Sequence, residues 1–248
     1  MADEGEDDIA RAGWEARDLR SFGRRRARKA TDRQRELRRT LLPQFAASLE
    51  LLAEKDGDPA QLFAHVPREV WLEIGFGGGE HLVWQAADNP HVGLIGAEPF
   101  EDGVVKTLDV LSANGVANVR ILADDVRPLL RAMRPASLAR VFILFPDPWP
   151  KRRHAKRRLV QGPLVDLLAH AMRPGAEVRI ATDIGDYLRT ALAALLTDDR
   201  FFWTAGGPAD WRVRPADWPE TRYEQRALRE GRRCYYLRFV RTGTGPED

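Results

Sequence analysis

Val141-Phe142-Ile143-Leu144-Phe145-Pro146-Asp147-Pro148-Trp149-Pro150-Lys151 joins a continuously apolar run to one carboxylate held between two prolines. Five apolar residues in succession, Val141 to Phe145, suit a strand buried on both faces of a parallel sheet. Pro146 ends ladder pairing, and a φ fixed near roughly −65° stiffens the backbone that carries Asp147. In an open α/β sheet, ligands bind beyond the carboxyl ends of the strands, which puts Asp147 where chemistry is done. The next eight residues, Lys151-Arg152-Arg153-His154-Ala155-Lys156-Arg157-Arg158, contain six Lys or Arg. A rigid acid beside so dense a basic tract points to chemistry on a polyanion.

The same pattern recurs outward from this strand. Val70 to Gly75, Gly93 to Glu98, Val119 to Leu122 and Val178 to Ala181 are short, β-prone and apolar. Helical periodicity fills the intervals over His81 to Ala87, Gly103 to Ala113, Val126 to Met133, Leu164 to Met172 and Tyr187 to Leu196. Strands alternating with helices of this length predict βαβ units and a mostly parallel sheet. Phe201-Phe202-Trp203 and Cys234 to Val240 read as two closing strands.

Five of these strands carry or end in an acid: Glu73, Glu98, Asp124, Asp147 and Asp183. Ends of parallel strands share one edge, so the five carboxylates are expected in a single crevice. An acid at a strand-to-helix junction also serves as an N-cap, and Asp125, just before Val126, fits that role well. Glu73-Ile74-Gly75-Phe76-Gly77-Gly78-Gly79-Glu80 follows a strand and opens a helix, as a ligand-approaching glycine loop does. It lacks the third glycine of G-x-G-x-x-G, and no Gly-Lys-Ser/Thr is present for a triphosphate. Glu98 is placed to accept both ribose hydroxyls of an adenosine. Glu73 would repel a pyrophosphate and suit a cation, which favours S-adenosyl-L-methionine over a nicotinamide dinucleotide.

The chain has 248 residues, 44% of them hydrophobic, enough for one full α/β core. No apolar run reaches the ~20 residues that span a bilayer, Met1 to Asp8 is acidic and unlike a secretory signal, and the one cysteine, Cys234, gives neither disulfide framework nor metal cluster. These features predict a cytoplasmic protein with no membrane and no metal partner. Net charge is only +2, yet ten Lys or Arg lie between Arg20 and Arg39. Two basic blocks on a near-neutral chain point to nucleic acid or phosphate; solvated helix faces would have the same composition. The expected division is an acidic disordered tail over 1–16, a basic arm and helix over 17–66, a catalytic domain over 67–242 and a tail over 243–248. A helix is expected after Thr31-Asp32, ending near Leu41-Leu42-Pro43. The patches Leu49 to Leu52 and Leu62-Phe63 are expected to pack the arm on the domain. Of seven tryptophans, Trp149 alone has a position that argues for the site.

Leu72-Glu73-Ile74-Gly75-Phe76-Gly77, Ile95-Gly96-Ala97-Glu98, Phe145-Pro146-Asp147-Pro148-Trp149, Ala181-Thr182-Asp183 and Thr221-Arg222-Tyr223-Glu224-Gln225-Arg226 occur in this order, with Arg20-Ser21-Phe22 before them. Together they resemble the bacterial tRNA (guanine-N7)-methyltransferases, which modify guanine 46 of the variable loop, over nearly the whole chain after the acidic tail. The resemblance implies a class I, Rossmann-like methyltransferase fold: a mostly parallel seven-stranded sheet, helices on both faces, and the basic N-terminal arm. It implies S-adenosyl-L-methionine bound by Glu73, Gly75, Gly77, Glu98, Asp124 and Asp147, with Asp147 catalytic; Asp125 competes with Asp124 for its role. It further implies tRNA as partner. Lys151, Asp183, Thr221, Arg222, Tyr223 and Glu224 then bind substrate, and Arg153, His154, Lys156, Arg157 and Arg158 contact RNA. Pro150 and Ile184 depart from the histidine and tryptophan common in the family. Monomer and homodimer are both compatible with the sequence. The rival readings are a same-fold methyltransferase acting on another RNA base or a small molecule, a nucleotide-binding oxidoreductase, and a non-catalytic RNA-binding module.

Overall fold

The computed structural model describes Arg25 and residues 30–243. The acidic tail, Arg20-Ser21-Phe22 and residues 244–248 lie outside the described residues. In chain order the elements are α1 (Asp32–Phe45), α2 (Leu49–Glu54), β1 (Glu69–Ile74), α3 (Glu80–Asp88), β2 (Val92–Ala97), α4 (Glu101–Ala113), β3 (Val119–Leu122), α5 (Val126–Ala132), β4 (Leu138–Leu144), α6 (Gly162–Ala171), β5 (Met172–Thr182), α7 (Gly185–Leu196), β6 (Phe201–Trp203), α8 (Ala209–Arg212), α9 (Arg222–Arg229) and β7 (Tyr235–Arg241), with 3-10 turns over Pro59–Leu62 and Arg152–Arg157. The strands form one sheet in the order β3-β2-β1-β4-β5-β7-β6. Pairing is parallel from β3 through β5, and β7 alone runs against its neighbours. This is the mostly parallel seven-stranded sheet that the sequence leads one to expect.

Alternation along the strands feeds two cores, one per face. Val70, Leu72 and Ile74 of β1 join Val141 and Ile143 of β4 on the face covered by α2, α5, α6 and α7. Trp71, Phe142 and Leu144 join Leu94, with α3 and α4 above them, on the other. Glu73 alternates onto this second face. Each fully buried Leu or Phe stabilises the fold by about 1.5–3 kcal/mol, which outweighs the cost of the polar groups the second face also holds.

The register decides where the site lies. Ile74 pairs with Ala97, Ala97 with Leu122, and Leu144 with Ala181. Gly75, Glu98, Ala123, Phe145 and Asp183 therefore leave the sheet along one edge, and antiparallel β7 begins there, Tyr235 opposite Thr182.

The described part of the basic arm from residue 30 onward is docked. Thr31 and Gln34 form a capping box at the start of α1, which continues past Pro43 to Phe45. The amide missing at Pro43 falls in the last turn, where it breaks only one intrahelical bond. Arg38 pairs with Glu101 and Arg33 with Asp109 on α4. Ala46 bridges Ile121, which covers the free edge of β3, and Leu52, Leu62 and Phe63 sit in the core. The fifth strand starts six residues earlier than its apolar run, because Met172 pairs with Leu138 across a register shift. Among the described residues no helix is long and apolar enough to cross a membrane.

Candidate functional site

The loop after β4 is held in an unfavourable backbone state. Phe145 has φ 49° and Trp149 φ 42°, both in the left-handed region, on either side of Pro146-Asp147-Pro148. Such conformations cost about 1–2 kcal/mol per non-glycine residue and persist only where the surroundings impose them. At the Trp149 end the imposing group is Arg158. Its Nε donates to the Pro148 carbonyl at 3.2 Å and Nη2 to the Trp149 carbonyl at 3.5 Å, while Nη1 donates to Asp186 O at 3.0 Å and Thr190 Oγ1 at 2.6 Å. Arg158 is 6% exposed. Four of its five N–H donors are thus spent on oxygens within the protein, so this residue, named above among the RNA contacts, serves the loop. Asp147 itself is exposed at the top of the loop.

The remainder of the tract behaves differently. Lys151, Arg152, Arg153 and Lys156 are exposed on the 3-10 turn, and His154 and Arg157 are half-buried. The Arg157 guanidinium lies 5.0 Å from the centre of the Trp149 ring, and His154 meets the same ring edge-on at 5.9 Å. Trp149 is thus fixed from two sides next to Asp147.

Facing this loop is the glycine loop between β1 and α3. Gly75 has φ 78°, is exposed, and a Cβ added to it would meet nothing within 4 Å. That open face is the cradle a ligand needs to approach backbone. Gly103 at the start of α4 approaches so closely that an added Cβ would sit 2.2 Å from Gly77 O. Glu98 crosses between them, its Oε2 accepting from Gly77 N at 2.8 Å and its Oε1 from Phe100 N at 2.9 Å. Burial lifts its carboxyl above the ordinary range, and the charges of Asp147 and Glu73 add to the effect, against the pull of the two amides. Glu98, Asp147 and Glu73 are therefore within electrostatic reach of one another in one crevice.

The other acids have partners. Glu73 is 3% exposed, with Oε2 2.8 Å from His81 Nδ1. Exposed Asp124 pairs with Arg25 of the arm. Asp125 caps α5, accepting from Arg127 N at 2.9 Å. Burial alone would raise its carboxyl, but the Arg127 side chain and amide hold it below the usual range. Asp183 accepts from Arg232 Nε at 2.6 Å. Thr221 caps α9 by accepting from Glu224 N at 3.2 Å. Glu224 is buried, accepting from the Tyr236 hydroxyl and lying 3.0 Å from Arg214 Nε. Between Thr221 and Glu224, Arg222 and Tyr223 are exposed. They lie over the glycine loop, where a Cβ at Gly77 would come within 3.0 Å of the Tyr223 oxygen.

The crevice thus brings together Gly75, Gly77, Glu73, Glu98 and Asp147, and reaches Arg222 and Tyr223. Sequence reasoning missed His81, Arg232, Tyr236 and the bracing role of Arg158. Only His81 left a trace, as the first of a polar i, i+4, i+8 series with Gln85 and Asn89 on an otherwise apolar helix face.

The family model described as "Putative methyltransferase" matches residues 67–237. A tRNA (guanine-N(7)-)-methyltransferase of Rhodospirillum rubrum is 48% identical over 225 residues, covering 90% of this chain and 88% of that protein. Proteins of the same name are 47% identical in Hyphomonas neptunium, over 85% of this chain and 94% of that protein, and 44% identical in Nitrobacter hamburgensis, over 95% and 91%. Among solved structures, the antibiotic-resistance methyltransferase Kmr is similar at 16% identity and a TM-score of 0.49, over 72% of this chain and 89% of that one. Matched at nearly half identity over nine-tenths of its length, the chain belongs to the tRNA (guanine-N(7)-)-methyltransferase family.

Proposed function

We propose that the protein transfers a methyl group from S-adenosyl-L-methionine to N7 of guanine 46 in the variable loop of tRNA, in the cytoplasm. The observation that carries this reading is the open backbone face at Gly75, flanked by the carboxylates of Glu98, Glu73 and Asp147, with an exposed basic turn directly after Asp147.

The crevice fits this cofactor. Each Glu98 oxygen spends one lone pair on a backbone amide and keeps another for a ribose hydroxyl. Glu73 would supply negative charge for the cationic end, Gly75 and Gly77 would admit it to backbone, and Asp124 would serve the adenine. When bound, S-adenosyl-L-methionine supplies an electrophilic methyl group on a cationic sulfur.

Guanine N7 has a free lone pair, so the attack needs no proton removed and no general base. What the protein contributes is orientation and field. Asp147, on a loop stiffened by two prolines and braced by Arg158, favours the positive charge that develops on the purine. Asp183, oriented by Arg232, is the acceptor for the guanine N1–H and exocyclic amine, which selects guanine over adenine. Arg222 and Tyr223 line the approach, and Thr221 and Glu224 hold them there by capping and anchoring α9. Lys151, Arg153, His154, Lys156 and Arg157 face the tRNA backbone, so affinity falls with salt.

The test is methyl transfer from labelled cofactor to tRNA lacking 7-methylguanosine, with nucleoside mapping of the product. 7-Methylguanosine at position 46 is expected. A different methylated nucleoside would overturn the target, and transfer to a small molecule alone would overturn the polyanion reading.

A further inference from the structure

Below the crevice, three buried polar side chains form a chain from Glu73 of β1 to His81 and Gln85 of α3. His81 Nδ1 meets Glu73 Oε2 at 2.8 Å, and His81 Nε2 meets Gln85 Nε2 at 3.2 Å. Gln85 Nε2 also lies 3.2 Å from Asp217 O, and its Oε1 receives Asn89 Nδ2 at 3.3 Å. Glu73, His81 and Gln85 are each 2–3% exposed, and the imidazole packs edge-on against Phe142 at 4.6 Å.

Hydrogen-bond valence fixes every proton in this chain. The Asp217 carbonyl only accepts, so the Gln85 atom beside it is the NH2 group. That group also faces His81 Nε2, which must then offer its lone pair. The imidazole hydrogen therefore sits on Nδ1 and is donated to Glu73. Burying polar groups here disfavours the fold unless all are paired, and a purely structural core at this point would be served by an apolar residue. The chain ends on one oxygen of the carboxylate that the proposed function directs at the cofactor.

We infer that His81 is a positioning residue of the cofactor site: its Nδ1–H, set by Gln85, pins Glu73 Oε2 and leaves Oε1 aimed at the cationic end of the cofactor. This rests on the reading of Glu73 as a cofactor ligand. No proton is transferred; the histidine acts by orientation, as the partners of metal- and substrate-binding groups commonly do.

The amide nitrogen of Asn can replace histidine Nδ1, whereas that of Gln replaces Nε2. The test compares H81N with H81Q by calorimetric titration with S-adenosyl-L-methionine. H81N should bind close to wild type. H81Q should bind about tenfold more weakly, the size of one hydrogen bond to a charged group. A space-filling role predicts the opposite order, since Gln is nearer in volume to His. E73Q separates the inference from its premise: wild-type affinity in E73Q would overturn the ligand reading itself. Weakened E73Q with equal affinity in H81N and H81Q would overturn only the role of His81. Nitrogen-15 shifts of the His81 ring in the unaltered protein give a second measurement that needs no variant. A protonated Nδ1 with a bare Nε2 is expected, and the reverse tautomer would overturn the inference.

Discussion

Arg158 Nε donates to the Pro148 carbonyl at 3.2 Å, so the last residue of the basic tract braces the loop on which Asp147 stands. Charge in this tract is thus divided by burial. One arginine is turned inward to hold left-handed Trp149 in place, while Lys151, Arg152, Arg153 and Lys156 are turned outward. The two roles make different demands on the same residue type, and they separate experimentally.

R158A removes a guanidinium from among four oxygen acceptors. Losing buried hydrogen bonds to a charged group costs about 1.5–3 kcal/mol, which for a chain of this length lowers Tm by several degrees. Methyl transfer should fall with it, as the Asp147 loop relaxes. R153E and K156E, both exposed, should leave Tm unchanged, weaken tRNA binding and flatten its salt dependence. Thermal melts paired with binding at two salt concentrations read both effects; equal Tm losses in the three variants would refute the division.

Asp147 is exposed, and the fold does not depend on its charge. D147N should keep Tm and tRNA affinity and slow single-turnover methyl transfer by about 10²–10³-fold, the usual effect of removing one preorganised electrostatic group. An unchanged rate would remove Asp147 from the reaction.

The strand ends and their acids were legible because one physical rule produces them: parallel strands with helical crossovers share a carboxyl edge, and the acids lie at fixed offsets from apolar runs. Arg158 was not legible. A run of six cations has the same composition whether its last member points to solvent or into the protein, and what decides is Asp186 and Thr190, 28 and 32 residues away. Thr221 and Glu224 read as substrate-binding residues, and the cap on α9 and the bond to Tyr236 that bury them likewise leave no trace in the sequence. The early start of β5 was hidden by Arg173-Pro174-Gly175, which reads locally as a turn and is drawn into the sheet by the pairing of Met172 with Leu138.

Glu224 depends on Tyr236 and Arg214 for its burial. Desolvation raises its carboxyl, while the Tyr236 hydroxyl and the Arg214 charge oppose that rise. Y236F removes one of these partners and should cost about 1–3 kcal/mol, measurable by urea unfolding. Because α9 carries Arg222 and Tyr223, the variant should also raise KM for tRNA more than it lowers kcat. A fall in kcat alone would place Glu224 in the chemistry instead.

The raised Glu98 carboxyl gives opposite pH trends for binding and for stability. Protonation begins at higher pH than for an ordinary glutamate, and it neutralises the acceptor proposed for the ribose hydroxyls. Cofactor affinity should therefore weaken as pH falls through that raised pKa. For folding the sign reverses: a carboxyl whose pKa is higher in the folded state than in the unfolded one favours the fold as pH falls, and that contribution is lost as pH rises from the ordinary range through the raised value. Titrations of cofactor affinity and of Tm over the same pH series, with E98Q as control, check both. E98Q should abolish the Glu98 part of each trend; affinity and Tm falling together in wild type but not in E98Q would refute the assignment.

Two glycines of the crevice carry no side chain for different reasons, and alanine at each should fail differently. At Gly103 a Cβ would sit 2.2 Å from Gly77 O, a backbone atom that cannot move without displacing the whole loop. G103A should cost about 1–3 kcal/mol of stability as an overpacked site and lose cofactor affinity because the loop shifts. At Gly75 a Cβ meets nothing, and the only folding cost is the left-handed φ of 78°, about 1–2 kcal/mol. If the open face at Gly75 is where the cofactor lies, G75A should lower Tm modestly yet weaken cofactor binding by far more than that strain accounts for. The cofactor-induced rise in Tm should be small in both variants, and the discriminating quantity is the apo Tm, which should fall further in G103A. A G75A protein with wild-type cofactor affinity would move the binding face elsewhere on the sheet edge.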